Sequence, residues 1–250
     1  MARRPRSQLP RTSPPTGPEA LAMLRAGNRR YVGGLRRVDA MLSHGRRDDL
    51  ETQAPVAIVL GCSDSRAPAE VVFDVGLGEL FVIRVAGNIV APSQVASVEF
   101  AAARFGTRLV VVMGHSGCGA IKATLEALRD PDDPALRSLE SITKRVGPAI
   151  ASLLETPLAR RPEALVRAAV RSNVRAAVGH LRTGSPVIER LVGAEGLLVV
   201  GAELDLGTGV VDFFEGLPVA TPRRRPAPAR ARTARPAGPR AGRRRPARAR

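Results

Sequence analysis

The two cysteines and one histidine of this sequence have the side chains and the spacing of a metal site. Cys62 and Cys118 are the only cysteines in 250 residues, and His115 lies three positions before Cys118. Two thiolates and one imidazole form a soft ligand set that favours zinc. Three protein ligands leave one tetrahedral position open, which is typical of a catalytic zinc site and not of a structural one. The remaining histidines, His44 and His180, lie elsewhere in the sequence, and we interpret them as ordinary surface or helix-end residues.

Each candidate residue also has an ordinary structural interpretation. A buried cysteine after a strand is often a small apolar residue, and a histidine beside glycines can satisfy a loop carbonyl. Asp64 and Arg66, which follow Cys62, could form a structural ion pair. A redox pair of the two cysteines is a further alternative, although they lack the C-x-x-C spacing of dithiol oxidoreductases. Because both cysteines and the nearby histidine fall in two short loops, the pattern favours a metal site.

Short apolar segments alternate with helix-like segments along the chain. Runs rich in Val, Ile and Leu without strict polar alternation are typical of strands buried on both faces of a parallel sheet. Such strands are predicted at residues 56–60, 80–85, 109–113 and 197–200, and helices at 18–32, 93–105, 120–129 and 162–181. A further edge strand is predicted at residues 209–214. The expected fold is a single α/β domain with a central, mostly parallel β-sheet flanked by helices.

The expected fold also explains how two distant loops can meet. Cys62 follows the first predicted strand, and His115 follows the third. Ligands in open α/β sheets gather at the carboxyl ends of the strands. We therefore expect the Cys62 loop and the His115–Cys118 loop to form one site.

The positive charge of the sequence is confined to its two ends. The chain has 39 Lys and Arg against 23 Asp and Glu, a net charge of +16. Residues 1–17 contain four arginines and residues 222–250 contain twelve, with no acidic residue in either segment, so residues 18–221 are neutral. Neither segment has a periodic apolar face, and we expect both to be disordered. The alternative for the C-terminal tail is weak, nonspecific and salt-dependent binding of polyanions such as RNA or DNA, because it lacks aromatic residues that stack on bases.

The sequence has no pattern typical of export or membrane insertion. The basic N-terminus is not followed by the apolar segment of a secretory signal, and no run of 18 apolar residues is present. Two cysteines in a chain of this length do not indicate a disulfide-stapled secreted scaffold. We expect a cytoplasmic protein that does not contact membranes.

Three motifs resemble the signature segments of the β-class carbonic anhydrases. They are CSDSR at 62–66, RVAGN at 84–88 and GHSGCGA at 114–120, and the likeness extends over residues 18–216. The resemblance implies one zinc ion per chain, bound by Cys62, His115 and Cys118 and completed by water. Zinc-bound hydroxide would attack CO2 to give bicarbonate and a proton. The resemblance also implies a homodimer or a multiple of dimers, and we assign the catalytic domain to residues 18–221, between the two basic ends.

The resemblance assigns Asp64 and Arg66 to a catalytic dyad. Arg66 is expected to clamp the carboxylate of Asp64, which then accepts a hydrogen bond from the hydroxide. In some family members the matching aspartate becomes a fourth metal ligand at lower pH, so Asp64 is also a candidate ligand. Those members often have a bicarbonate pocket with Trp and Tyr at the positions of Val59 and Leu204, although Arg84 keeps the arginine of the family. We therefore expect the open site near neutral pH and no bicarbonate regulation of that type.

Two other functions stay open from the sequence. The same site could hydrolyse COS or CS2, which are also linear and apolar, because the sequence does not reveal the shape of the pocket. A non-enzymatic polyanion-binding protein would instead depend on its basic tail. Deletion of residues 222–250 would abolish the function of such a protein and would leave CO2 hydration nearly unchanged.

Overall fold

A five-stranded sheet forms the centre of the computed structural model, which describes residues 13–37 and 53–218. The strands are β1 (Ala57–Gly61), β2 (Leu80–Arg84), β3 (Leu109–His115), β4 (Leu198–Leu204) and β5 (Val211–Glu215), in the spatial order β2-β1-β3-β4-β5. Strands β1 to β4 are parallel, and β5 pairs antiparallel with β4. The structure confirms the α/β class and the mostly parallel sheet.

Two central strands are longer than the apolar runs that predict them. β3 extends to His115 and β4 to Leu204, and the two stay in parallel register from Leu109 opposite Leu198 to His115 opposite Leu204. The glycine and polar residues at these ends are paired on the sheet in spite of their low strand propensity. Because of this extension, His115 is itself the last residue of a central strand. The predicted edge strand is confirmed as β5, displaced by one or two residues.

Helices lie on both faces of the sheet. In the described ranges they are α1 (Gly17–Val32), α2 (Ala69–Val72), α3 (Pro92–Arg104), α4 (Gly119–Arg129), α5 (Glu140–Ile150), α6 (Pro162–Thr183) and α7 (Pro186–Ala194). The four predicted helices are confirmed as α1, α3, α4 and α6. α1 begins one residue before the predicted start, where the Thr16 N–H donates to the Glu19 carboxylate at 2.9 Å. No helix in these ranges is long and apolar enough to cross a bilayer.

The sheet is covered on each face by a separate hydrophobic cluster. Side chains of β3 alternate, with Val111 in the cluster that includes α1 and Phe73, and Val110 in the cluster that includes α3, α6 and α7. β1 and β3 are buried throughout. Because both strands are fully buried, the loops that follow them begin at rigidly held residues.

A third cluster lies at the carboxyl end of these strands. It contains apolar side chains of α4, α5 and α6, among them Ile121, Val146 and Leu165, and it includes both Cys62 and Cys118. The two thiols thus lie in apolar surroundings from which water is largely excluded.

Parts of the sequence predictions fall outside the described residues. His44 and the tail at 222–250 lie there, and only residues 13–17 of the predicted N-terminal segment are described. The division into a domain at 18–221 and two disordered ends stays a prediction.

Candidate metal centre

The first loop of the site leaves β1 and is held by an arginine of the neighbouring strand. Cys62 follows Gly61, the last residue of β1, and Gly61 is paired with Arg84 at the end of β2. The Arg84 guanidinium donates to the carbonyl oxygens of Cys62 at 3.0 Å and of Asp64 at 2.5 Å. Arg84 therefore fixes the path of the chain from Cys62 to Asp64. Reasoning from the sequence had placed Arg84 in a motif without this role.

The second loop joins the end of β3 to the start of α4. His115 is the last residue of β3, Gly117 makes the turn with φ +66°, and Cys118 precedes the first residue of α4. Ser116 ties this loop to the end of β4, because its N–H donates to Leu204 O at 2.9 Å and its Oγ accepts from Leu206 N at 2.9 Å. The N-terminus of a helix is also a favourable place for a thiolate.

The two loops bring three ligand atoms together. Sγ of Cys62, Sγ of Cys118 and a ring nitrogen of His115 all lie within 4.8 Å of one another, and all three residues are buried. Both cysteines are free thiols, with their sulfur atoms 3.9 Å apart. Two Zn–S bonds of about 2.3 Å at a tetrahedral angle place the sulfurs about 3.8 Å apart. The sulfur separation therefore fits one zinc ion without rearrangement of the loops.

The imidazole of His115 presents its free nitrogen as a ligand. Nδ1 lies 3.1 Å from the carbonyl oxygen of Ser116, which can only accept, so Nδ1 carries the hydrogen. Nε2 is buried and has no hydrogen-bond partner among the described residues. Burial lowers the pKa of His115, but the neighbouring thiolate of Cys62 outweighs it, and the net shift is upward. A buried nitrogen without a partner beside a thiolate is where a cation fits.

One of the two thiols loses its proton readily, and the other then keeps its own. A hydrogen bond from the Cys118 thiol lowers the pKa of Cys62 and outweighs burial, which raises it. The Gly87 N–H, 3.4 Å from the Cys62 sulfur, lowers that pKa further. The hydrogen bond to Cys62, and then burial, raise the pKa of Cys118. A bound cation would stabilise a second thiolate at this place.

The carboxylate of Asp64 lies at the edge of this cluster, held by Arg66. Arg66 Nε donates to Oδ1 at 2.9 Å and Nη2 to Oδ2 at 2.7 Å, and the Arg66 N–H donates to Oδ1 at 3.0 Å. These bonds from Arg66 hold the pKa of Asp64 well below its usual range. Asp64 Oδ2 is 3.8 Å from His115 Nε2. The carboxylate is thus ionised at neutral pH and lies close to the three ligand atoms without being one of them.

The other positions noted in the sequence contribute no ligand atom to the centre. His180 is exposed on α6 and is absent from the group of possible ligands. Val59 and Leu204 are both buried in the hydrophobic cluster on the α1 side of the sheet. They contribute packing there and no polar group.

Comparison with known proteins agrees with this geometry. The family model for carbonic anhydrase matches residues 57–211. The solved β-carbonic anhydrase CcaA is 27% identical with a TM-score of 0.59, over 80% of this chain and 90% of that one. The chain belongs to the β-class carbonic anhydrases. It is therefore an enzyme of the carbonate dehydratase type, a lyase.

Two further relatives cover most of the chain. The carbonic anhydrase of Mycolicibacterium smegmatis (strain ATCC 700084 / mc(2)155) is 34% identical over 190 residues, which is 76% of this chain and 89% of that protein. The tetrameric β-carbonic anhydrases from the filamentous ascomycete Sordaria macrospora include a structure 23% identical, with a TM-score of 0.58, over 78% of this chain and 96% of theirs. At that identity the second likeness shows the fold alone.

Proposed function

We propose that this chain catalyses the reversible hydration of CO2 to bicarbonate and a proton with one zinc ion, held by Cys62, His115 and Cys118. The observation that carries the proposal is the cluster of three buried ligand atoms within 4.8 Å of one another. The ionised Asp64 beside it is held outside the cluster by Arg66. Family membership supports the reaction, and the soft donor set supports zinc as the metal.

Zinc at this position would acidify a water molecule and so supply hydroxide, the nucleophile that adds to the carbon of CO2. Cys62, His115 and Cys118 would hold the ion as its three protein ligands, a number typical of catalytic zinc sites. Asp64 would accept a hydrogen bond from the nucleophile and orient it, and Arg66 would keep the carboxylate off the metal. The hydration of CO2 by one water molecule yields bicarbonate and one proton, and the proton leaves to solvent or buffer.

The ligand set also determines how the activity depends on pH. Two thiolates neutralise the charge of a divalent ion, so they weaken its acidifying effect compared with three neutral imidazoles. We therefore expect the activity to rise toward alkaline pH. Asp64 does not cause this rise, because its lowered pKa keeps it ionised throughout the neutral range.

We also propose that the site stays open near neutral pH and lacks bicarbonate regulation. Arg84 is occupied by the carbonyl oxygens of Cys62 and Asp64, and the positions of Val59 and Leu204 hold buried aliphatic side chains. These contacts support the absence of a polar pocket for bicarbonate there. A crystal structure near neutral pH with Asp64 bound to zinc would contradict this proposal.

Substitution of the ligands tests the assignment. Cys118→Ser and His115→Ala should each lose zinc and hydration activity, because two protein ligands do not hold the ion firmly. Zinc per chain is measured by elemental analysis and hydration by stopped flow on the same samples. His180→Ala is the matched control and should keep both. Stoichiometric zinc in either ligand variant would refute the assignment.

We further propose a homodimer or a multiple of dimers in the cytoplasm. Membership of the β class supports an even-numbered assembly, as the sequence resemblance implies. The two unpaired thiols of Cys62 and Cys118 suit a reducing compartment, where disulfides are rare. Sedimentation of the full chain would test the assembly, and a monomer at all concentrations would contradict it.

A further inference from the structure

One asparagine in the middle of helix α6 makes a buried long-range hydrogen bond toward the metal centre. The side chain of Asn173 is buried, and its Nδ2 donates to the carbonyl oxygen of Gly87 at 2.8 Å, across 86 positions of sequence. Asparagine is an unfavourable residue in a helix interior, because its side chain competes for backbone hydrogen bonds. Here that side chain is engaged with a distant turn and not with its own helix.

The partner of Asn173 is a turn of unusual backbone conformation. The 3₁₀ segment Ala86–Asn88 has Gly87 at φ +68° and the buried Asn88 at φ +44°. Left-handed conformations are costly for residues with a Cβ, and a Cβ on Gly87 would lie 3.2 Å from the Cβ of Ala120. Such a turn keeps its shape only when its surroundings hold it.

The same glycine contacts the metal centre through its other polar group. The N–H of Gly87 donates to Sγ of Cys62 at 3.4 Å, while its carbonyl oxygen accepts from Asn173. On the strand side the turn is held by Val85 N–H to Gly61 O at 3.1 Å. Asn173 therefore holds the turn from the helix side. Gly87 is fixed between α6 and the sulfur of Cys62.

We propose that Asn173 is a positioning residue of the metal centre, which keeps the Gly87 N–H directed at the sulfur of Cys62. This inference rests on the proposed function, because it takes Cys62 as a metal ligand. Groups that orient ligands in this way tune both the strength and the electronic character of a metal site. Asn173 does so from a helix, without touching the ligand itself.

The inference predicts a spectroscopic change on loss of the amide. In Asn173→Leu the branched shape and the number of side-chain heavy atoms are kept, the donor is lost, and the Gly87 carbonyl oxygen is left without its partner. A thiolate that loses an N–H hydrogen bond becomes a better electron donor. In the Co(II)-substituted protein, the sulfur-to-cobalt charge-transfer band should therefore move to longer wavelength. Zinc release to a chelator should be about 10-fold faster, because Cys62 is no longer held in the orientation that binds the ion.

Thr107→Val is the matched control, because it also removes a buried side-chain donor to a backbone carbonyl. Thr107 Oγ1 donates to Pro55 O at 3.0 Å, at the opposite end of the sheet from His115. This variant should keep the wild-type band and the wild-type rate of zinc release, whatever its stability. If Asn173→Leu does not fold, Asn173→Ala is measured in its place.

The outcomes separate this inference from the proposed function. A shifted band and faster zinc release in the Asn173 variant alone would support the positioning role. A wild-type spectrum and release rate in a folded Asn173 variant would overturn it, and so would equal changes in Thr107→Val. A wild-type chain that binds neither zinc nor Co(II) would refute the metal site itself.

Discussion

At the scale of single residues, the ion pair between Arg66 and Asp64 has the most direct consequence for the chemistry of the site. Both carboxylate oxygens are held, by Nε at 2.9 Å and Nη2 at 2.7 Å. A bidentate pair of this kind has a defined geometry that a single charge does not provide. Since Asp64 lies only 3.8 Å from His115 Nε2, a small rotation would bring it to the ligand cluster. We therefore propose that Arg66 separates two states of the site, one open and one closed by the carboxylate of Asp64.

Removal of the guanidinium should favour the closed state. We expect Arg66→Ala to lower the rate of CO2 hydration by about 10-fold to 100-fold while the chain keeps its zinc. Stopped-flow rates with zinc content on the same sample provide the measurement, and a crystal structure of the zinc-loaded variant shows whether the Asp64 carboxylate has replaced water at the metal. The control is Arg190→Ala, which removes an exposed arginine of α7 and should leave the hydration rate unchanged. Wild-type activity in Arg66→Ala would disprove the role of the dyad.

The ligand residues themselves are predictable from the sequence, but the groups that hydrogen-bond to them and to their loops are not. Two cysteines and one histidine at strand ends are visible in the printed chain, and their convergence follows from a parallel sheet. The hydrogen bonds of Arg84 and Ser116 depend on which strand lies beside which. The bond from Gly87 to Cys62 depends on a left-handed backbone conformation. No residue pattern encodes these distances, because they arise only when the elements pack.

At the scale of elements, two glycines allow α6 to lie close to the sheet near the metal loops. A Cβ on Gly114 of β3 would be 2.8 Å from Cγ2 of Val174, and one on Gly201 of β4 would be 2.7 Å from Cγ1 of the same valine. Valine is restricted in its rotamers and cannot easily turn aside. The close approach also brings Asn173 of the same helix within reach of Gly87.

A methyl group at this contact should push the helix away. Gly201→Ala is expected to lower the free energy of unfolding by about 1–3 kcal/mol, because the added atom overpacks the contact between β4 and α6. Gly179→Ala is the control within α6, since no atom lies within 4 Å of the added methyl. It should raise the free energy of unfolding by about 0.4–1 kcal/mol. Urea denaturation of the two variants provides the comparison, and equal stabilities would contradict the packing argument.

The elements that sequence reasoning missed are those with weak or mixed patterns. α5 contains Gly147 and Pro148, both unfavourable inside a helix, yet it forms against α4 and α6 through Val146 and Ile150. The last residues of β4 include Gly201 and Glu203, which have low strand propensity and are paired because β3 lies alongside. In both cases tertiary packing decides the local structure. The long apolar strands and α6 were predicted because their own residues favour them.

At the scale of the whole molecule, the excess positive charge and the candidate metal centre belong to different parts of the sequence. The site is assembled from residues between Cys62 and Cys118 together with contacts from α6 and β4. The excess of arginine lies at residues 1–17 and 222–250, and residues 18–221 are neutral. We propose that residues 18–221 form the catalytic domain and that the basic tail takes no part in catalysis.

Deletion of the tail distinguishes the enzyme from a polyanion-binding protein. A chain that ends at Thr221 should hydrate CO2 at the full-length rate and keep its zinc, because no site residue is removed. Any binding of duplex DNA by the full chain should fall steeply with salt and disappear with the tail. The measurements are stopped-flow hydration and DNA binding at two salt concentrations. Loss of hydration on deletion would contradict the proposed division of the chain.

The central claim is tested most directly by stopped-flow CO2 hydration from about pH 6 to 9, with zinc measured on the same sample. We predict one zinc ion per chain and a rate that rises toward alkaline pH. We also predict loss of activity on chelation and recovery when zinc is restored. A fully zinc-loaded chain that does not hydrate CO2, or a zinc-free chain that does, would contradict this claim.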